Sequence, residues 1–339
     1  MTRDKSGRLS FPAIILLILL PIVTAAAVFG IGRMNISPRE ILDSVILLFT
    51  GKGDVPMNVQ MTLWNIRLPR ILLALLTGAG LSVSGCAFQS LFANPLATPD
   101  TLGVASGASF GAALGILMGF SLVGIQTTSF LFGAIAVFLT WISGSGKGRG
   151  LSSVVLAGIM IGSLFSALVS LVKFTADSET QLPAITYWLM GSLDGTGYKN
   201  LLYGAPPILI GIVILFLIRW RMNLLPLTED EIRSSGVNIT ALRGVTVVCA
   251  TMITASAVSM CGQVGWVGLL VPHICRMLFG SNHLALIPAS VSIGAAFMVI
   301  VDTAARSASA AEIPISILTA IIGAPFFIIL MRKSGGWRL

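Results

Sequence analysis

Few side chains in this sequence could do chemistry, and their spacing matches no common catalytic or metal site. The only two histidines, His273 and His283, lie in or beside predicted helix ends, where a structural role is favoured over a ligand or a proton relay. The four cysteines lie inside apolar segments and match no CxxC or zinc spacing. We therefore expect no catalytic group and no metal site in this chain.

A nucleotide-binding loop is not expected either. The segment SGSGKGRG (143–150) resembles a phosphate-binding loop at first sight. The pattern G-x-x-x-x-G-K-S/T needs Gly where Trp141 stands and Ser or Thr where Gly148 stands, so it fails twice. We interpret this segment as a flexible basic loop, and we predict that the chain is not an enzyme and holds no cofactor of its own.

Charged side chains inside the apolar segments are rare, and such residues are functional candidates by default. Asp302 and Arg306 are four residues apart and therefore share one helix face, where each would offset the other's desolvation. The only other acid of this kind is Glu312, at a segment boundary. An ion-driven carrier would be expected to have several intramembrane acids, so this scarcity disfavours ion coupling. Arg67 and Arg70 bracket Pro69 at the start of another apolar segment.

The amino-acid composition indicates that most of the chain lies in lipid and not in water. Of 339 residues, 55% are hydrophobic and only 10% are charged, and the mean hydropathy is +0.94. A soluble domain has about a quarter charged residues. The chain is therefore predicted to be a polytopic membrane protein in a lipid bilayer. Its net charge of +8 lies in short loops and forms no basic stripe for nucleic acid, so it suits anionic headgroups instead.

Apolar runs of the length that crosses a bilayer predict an all-α protein with about ten transmembrane helices. The first run is too long for a typical signal peptide, so we interpret it as a spanning helix. The predicted spans cover residues 11–31, 64–90, 100–118, 124–143, 151–172, 200–219, 242–261, 265–279, 284–305 and 315–331.

An even number of spans places both termini on one side of the membrane. Most of the 21 lysines and arginines then fall on that side, which the positive-inside rule assigns to the cytoplasm. The outer face nevertheless keeps several arginines, including Arg67 and Arg70. Orientation alone would discourage cations there, so we expect them to have an acidic partner.

Two segments interrupt the helical pattern, FANPLATPDTLG (92–103) and CGQVGWVGLLVPHICRMLFG (261–280). Irregular backbone is tolerated in a membrane only where protein buries it or where it lines a cavity. One interruption in each half of the chain hints at an internal repeat of the kind that transporters use.

The longest polar insertion on the inner side covers residues 219–244. Within it, TEDE predicts a short helix with Thr228 as the N-cap, and Gly236 is suited to the position after its end. This segment is either an ordinary connector or a docking helix for a soluble partner.

Three stretches of the sequence together resemble the FecCD family of permease subunits. These are RLPRILLALLTGAGLSVSGCAFQSLFANPLATPDTLGVASGASFGA, GWVGLLVPHICRMLFGSNH and DTAARSASAAEIPISILTAIIGAPFFIILMR. The resemblance implies the type II ABC importer permease fold as a single domain over 1–339. It also implies a homodimer, two cytoplasmic ATPase subunits that hold ATP and magnesium, and an extracytoplasmic solute-binding protein. The expected location is the bacterial inner membrane, with both termini in the cytoplasm.

The resemblance also implies roles for particular residues. Binding-protein docking is expected at Arg67, Arg70 and Arg306. ATPase coupling is expected in LTEDEIRSSGVN, at Leu227, Glu229, Ile232, Gly236, Val237 and Asn238, although Thr228, Ile232 and Ser235 depart from the family pattern. A cytoplasmic gate is expected near Asn94, Leu96, Leu151 and Ser152.

Two other function classes stay open at this point, an ion-coupled secondary carrier and a structural membrane subunit. For an importer, the resemblance favours a ferric siderophore or haem as the solute, followed by cobalamin. No residue read from the sequence decides among them.

Overall fold

The computed structural model describes residues 9–51, 53–146, 150–195, 197–228, 231, 234–309 and 311–333, and the regular elements of these residues are helices. The main ones are α1 (Phe11–Val28), α2 (Pro38–Thr50), α3 (Met57–Leu91), α4 (Val104–Leu117), α5 (Leu122–Gly144), α6 (Leu151–Thr175), α7 (Gln181–Leu189), α8 (Tyr198–Leu217), α9 (Ile239–Cys261), α10 (Val267–Phe279), α11 (His283–Ser307) and α12 (Ile315–Lys333). Short 3₁₀ turns cover Pro99–Leu102 and Arg221–Leu224.

The predicted all-α membrane architecture is confirmed. Among the described residues, seven helices are long and apolar enough to cross a membrane, and they are α1, α3, α5, α6, α8, α9 and α11. Three shorter apolar helices, α4, α10 and α12, occupy the positions of the other three predicted spans.

The sequence did not predict α2 and α7. In α2, charged residues of the first turn interrupt the apolar pattern, and local bonds define its start. The Ser37 side chain accepts from Glu40 N, and the Glu40 carboxylate accepts from Ser37 N at 2.8 Å. This capping box also lowers the pKa of Glu40, chiefly through the Ser37 backbone N–H. Trp64 then donates to Ser44 Oγ at 2.9 Å, which fixes α2 on the start of α3.

Helix α3 lies at the centre of the bundle and packs against α8, α9, α10 and α11. Helix α3 is rich in small residues. In lipid, where no hydrophobic effect drives helices together, such residues let the helix backbones pack closely. A Cβ atom at Gly78 would lie 2.2 Å from Gly294 O on α11, and one at Gly85 would lie 1.8 Å from Gly268 O on α10. These positions therefore exclude every side chain.

The two irregular segments meet beside α3. Gly268, which follows the second break, has Leu81 O and the Pro99 ring near its Cβ position, at 3.0 and 3.1 Å. Trp266 has a φ of +68°, an unusual value for a non-glycine residue, and its indole ring covers Gly323 of α12. The breaks of the two halves are thus packed against one another in the protein interior.

The remaining helices surround this centre. Helices α4, α5 and α6 pack on each other and join the bundle through α9, whereas α1 and α12 lie on α11. Much of α1, α5, α6 and α8 faces away from the protein, as expected for helices in contact with lipid.

Candidate functional site

Arg67 and Arg70, which were predicted to lie on the outer face, stand at a local change of helix geometry. Residues Met61–Arg67 of α3 form π-helical turns, and Leu68 N donates to Leu63 O five residues back. Pro69 follows and has no N–H to continue the ordinary ladder. Such π-helical insertions re-aim side chains and are frequent at functional sites. Here Arg67 and Arg70 both point into the protein, with exposed fractions of 4% and 7%.

Arg70 is held by two carboxylates that are distant in sequence. Its Nε lies 3.0 Å from Asp302 Oδ1 and 3.1 Å from Oδ2, and its Nη2 lies 2.8 Å from Asp302 Oδ1. Its Nη1 and Nη2 donate to Glu312 Oε1 and Oε2 at 3.0 and 2.8 Å. Asp194, which is more exposed, lies 3.8 Å from Nη1. All sides of the planar guanidinium therefore face acids of the same chain.

Arg306 and Arg67 extend this cluster to the end of α1. Arg306 Nε lies 3.7 Å from Asp302 Oδ2, and its Nη2 donates to Val28 O at 3.2 Å. Arg67 donates to Phe29 O at 2.8 Å and also to Met34 O. The three arginines thus join α1, α3 and α11 at one end of the bundle. We call Arg67, Arg70, Arg306, Asp302 and Glu312 the outer ion cluster.

The predicted pair of Asp302 and Arg306 is confirmed, but its strongest bonds are those of Asp302 with Arg70. The structure brings the three predicted docking arginines together, although it buries them. Docking to another protein stays a prediction. Sequence reasoning missed the partners Glu312 and Asp194, because nothing local links residue 70 to residues more than a hundred positions away.

A second polar cluster lies at the opposite end of the bundle. His283, the first residue of α11, hydrogen-bonds Ser90 of α3 through Nε2, and its Nδ1 lies 2.8 Å from Asn223 Oδ1. Asn223 also accepts from His283 N at 2.9 Å and donates to Asn282 Oδ1 at 3.1 Å. We call Ser90, His283, Asn223 and Asn282 the inner relay.

Arg276 and Gln89 continue the inner relay toward the centre. Arg276 of α10 donates to the side-chain oxygen of Gln89, and Gln89 Nε2 donates to Gly268 O at 3.2 Å. Since Gly268 touches Pro99, these contacts reach both irregular segments. Sequence reasoning missed Gln89, Ser90 and Asn223, and the only available signal was that polar residues this deep require partners.

The predicted coupling segment, residues 227–238, is described in part. Thr228 N and Oγ1 donate to Glu231 Oε2 at 2.9 and 2.8 Å, and these bonds lower the pKa of Glu231. Gly236 has the left-handed φ of +71° that its predicted position requires. Two predicted coupling residues, Glu229 and Ile232, lie outside the described residues.

The other coupling residues have separate surroundings. Leu227 is 42% exposed, whereas Val237 packs against the main hydrophobic core. Asn238 accepts from Ala241 N at 3.0 Å and so caps α9. The segment therefore connects an exposed surface directly to a spanning helix.

The predicted gate residues lie on two elements. Asn94 follows α3 and accepts from Leu96 N at 2.9 Å, and the Leu96 side chain is 49% exposed. Leu151 and Ser152 open α6, where Ser152 is exposed. In the part of the chain that the structure describes, no hydrogen bond joins the two pairs. Their shared role as a gate stays a prediction.

A central cleft of about 460 Å³ opens where the irregular segments meet. Its polar lining comes from Thr98, Asp100, Thr254, Gln263 and Ser316, beside Trp266. Asp100 accepts from Ser106 N at 3.4 Å. In the described residues, no three His, Cys, Asp or Glu side chains gather in a way that could hold a metal ion. The lining of the cleft thus offers hydroxyl, amide, aromatic and carboxylate groups that could contact a solute.

Comparison with known proteins gives matches along nearly the whole chain. Residues 15–333 match the FecCD transport family. The molybdate import system permease protein MolB of Haemophilus influenzae is 43% identical over 326 residues, which are 96% of this chain and 96% of that protein. An iron chelatin transport system permease protein of Helicobacter pylori is 37% identical over 317 residues, 87% of this chain and 96% of that protein.

A solved structure gives the same result. It is described as a metal-chelate type ABC transporter in an inward-facing conformation, and it matches this structure with a TM-score of 0.86 at 41% identity. The match covers 95% of this chain and 99% of that chain. The architecture and the sequence therefore agree on one family.

Proposed function

The chain belongs to the FecCD transport family, and on that premise we propose how this ABC importer permease works and what it carries. Permease subunits of this family are not catalytic themselves and act with separate ATPase and binding-protein subunits. We propose a homodimer in a bacterial inner membrane with both termini in the cytoplasm. Two ATPase subunits, which hold ATP and magnesium, dock at residues 219–244, and a solute-binding protein docks at the outer ion cluster. The observation that carries this proposal is the family match over residues 15–333.

The mechanism is alternating access without chemistry on the solute. ATP-driven closure of the ATPase subunits moves the coupling segment, and the inner relay transmits that movement through Asn223 and His283 to the end of α3. Gln89 and Arg276 extend it to the irregular segments beside the central cleft. The nucleotide shifts the opening only because the ATPase contacts differ in free energy between the two states.

Docking on the outer ion cluster requires an exchange of partners. Arg70 already has bonds to Glu312 and Asp302, and Glu312 is the more accessible of these acids, with 14% of its side chain exposed against 2%. A carboxylate of the binding protein would therefore replace Glu312 on the Arg70 guanidinium. Asp302 would stay and keep the cluster together.

The proposed solute is a metal chelate, first an iron chelate such as a ferric siderophore or haem, with the cobalt chelate cobalamin as the alternative. The relative that is named for iron chelatin transport and the metal-chelate type structure support this class. The Trp266 ring and the polar groups of the central cleft suit a chelate with an organic surface.

A molybdate-type oxyanion is the second candidate, because a molybdate permease is 43% identical to this chain. The carboxylate of Asp100 in the central cleft disfavours a bare anion by charge repulsion.

A competition experiment separates the two candidates. Proteoliposomes containing the permease, its ATPase and its binding protein would take up radiolabelled ferric siderophore in the presence of unlabelled haem, cobalamin or molybdate. We expect ATP-dependent uptake of the iron chelate that excess molybdate does not reduce. In a parallel assay with labelled molybdate, uptake of molybdate without any uptake of the iron chelate would replace the iron-chelate proposal with the oxyanion.

A further inference from the structure

A large apolar groove lies on the outside of the bundle, between α1, α8 and α11. Its volume is about 810 Å³, within the range of ligand-binding pockets, roughly 300–1,000 Å³. Leu17 and Pro21 of α1 form one wall, Val213 and Phe216 of α8 form another, and Pro288 of α11 lies between them. The groove faces the surroundings of the protein, where the exposed side chains of α1 and α8 are apolar.

One end of the groove is basic. Arg219 is the one charged side chain among the described residues that line it. Its guanidinium carbon lies 3.9 Å from the centre of the Phe216 ring, and its Nη1 donates to Phe216 O at 2.5 Å. These contacts hold the head group of the arginine at the mouth of the groove.

The Arg219 guanidinium is incompletely bonded. Its Nε is buried and has no hydrogen-bond partner among the described residues. A guanidinium has five N–H donors, and a buried donor without an acceptor is costly. An anion at the mouth of the groove would neutralise the charge of this guanidinium.

The neighbouring residues place this end at a membrane surface. Trp220 is 50% exposed, and the Arg221 guanidinium carbon lies 5.4 Å from its ring centre. Exposed tryptophans beside basic residues are typical of the level of lipid headgroups. Basic pockets between spanning helices on the cytoplasmic side bind anionic headgroups.

We propose that this groove binds one anionic phospholipid, with the acyl chains along α1, α8 and α11 and the headgroup phosphate on the Arg219 guanidinium. The headgroup neutralises the charge of Arg219 at the mouth of the groove, and the acyl chains cover an apolar surface that no helix of the described residues covers. The assignment to the cytoplasmic leaflet rests on the proposed function, whereas the site itself does not.

Lipid retention by the purified full chain tests this proposal without any transport assay. The chain would be exchanged into detergent micelles with phosphatidylglycerol or phosphatidylcholine, and bound lipid would be counted by native mass spectrometry. Val213→Trp fills the groove, and its matched control Leu209→Trp changes an exposed residue of α8 outside the groove lining. Arg219→Gln removes the charge, and Lys199→Gln does the same at the other end of α8.

We expect one retained phospholipid in the native chain and in both controls, with phosphatidylglycerol preferred. Val213→Trp should lose retention of both lipids. Arg219→Gln should reduce the preference for phosphatidylglycerol about fivefold, as expected for one basic residue near an anionic headgroup. Unchanged retention in Val213→Trp, or an unchanged headgroup preference in Arg219→Gln, would overturn the proposal. Equal melting temperatures of each variant and its control would exclude misfolding as the cause of a loss.

Discussion

Arg70 of α3 and Asp302 of α11 form a buried pair in which the guanidinium meets the carboxylate through Nε and Nη2 at 2.8–3.1 Å. The two residues are 232 positions apart in the chain. Asp302 is 1% exposed and also faces Arg306, so one carboxylate serves two arginines. One end of each of two spanning helices is therefore tied to the other by a largely buried ion pair.

Replacing Asp302 by Asn should destabilise the protein strongly. The substitution leaves Arg70 and Arg306 buried with less negative charge, and breaking a buried ion pair from one side costs about 3–5 kcal/mol. The matched control is Asp43→Asn, since Asp43 is paired with Arg39 at 4.0 Å on the exposed surface of α2. That change should cost less than about 1 kcal/mol. Equal melting temperatures of the two purified variants would contradict the structural role of the outer ion cluster.

Replacing Glu312 by Gln should strengthen docking of the solute-binding protein. The neutral amide releases the two Arg70 donors that Glu312 occupies, and a charge-assisted bond contributes about 1.5–3 kcal/mol. We expect the dissociation constant of the assembled transporter for its binding protein to fall about tenfold. Glu179→Gln, at an exposed position outside the cluster, is the control. An unchanged or larger constant would argue that Arg70 is purely structural.

The outer ion cluster also shows what the sequence could and could not reveal. Hydropathy located the seven helices of the described residues that are long and apolar enough to cross a membrane, because about twenty apolar residues in a row have few alternatives in a membrane protein. It also suggested the pair of Asp302 and Arg306, whose spacing is local. The bond between Arg70 and Asp302 depends on how α3 packs on α11, and no periodicity encodes that. The arginines that the sequence predicted to dock a partner on the outer face were therefore found buried against acids of their own chain.

Loss of the Asn223 side chain should uncouple ATP hydrolysis from transport. Asn223→Ala removes the bonds to His283 and Asn282 that link the turn before the coupling segment to α11. We expect ATP hydrolysis within about twofold of the native rate. The amount of solute transported per ATP should fall about fivefold or more, since typical coupling free energies correspond to factors of about five upward.

The control for this coupling test is Asn58→Ala, because Asn58 is an exposed residue at the start of α3. It should leave the ratio of transport to hydrolysis unchanged. If Asn223→Ala behaved in the same way, the inner relay would not carry the coupling.

A methyl group at Gly78 should separate α3 from α11. In Gly78→Ala the new Cβ would lie 2.2 Å from Gly294 O, so the backbones must move apart. Overpacking of this kind costs about 1–3 kcal/mol. Gly244→Ala in α9 meets nothing within 4 Å and should stabilise its helix by about 0.5–1 kcal/mol. The melting temperature should therefore fall in Gly78→Ala and rise in Gly244→Ala, and an unchanged or higher melting temperature of Gly78→Ala would refute the close α3–α11 contact.

Uptake by proteoliposomes from which each component is omitted in turn tests the central claim most directly. The claim is that this permease is a passive path, powered by a separate ATPase and loaded by a separate binding protein. The account predicts ATP-dependent accumulation of solute only when permease, ATPase and binding protein are all present, and no effect of a protonophore at constant ATP. Accumulation by the permease alone, or its collapse with the protonophore, would contradict it.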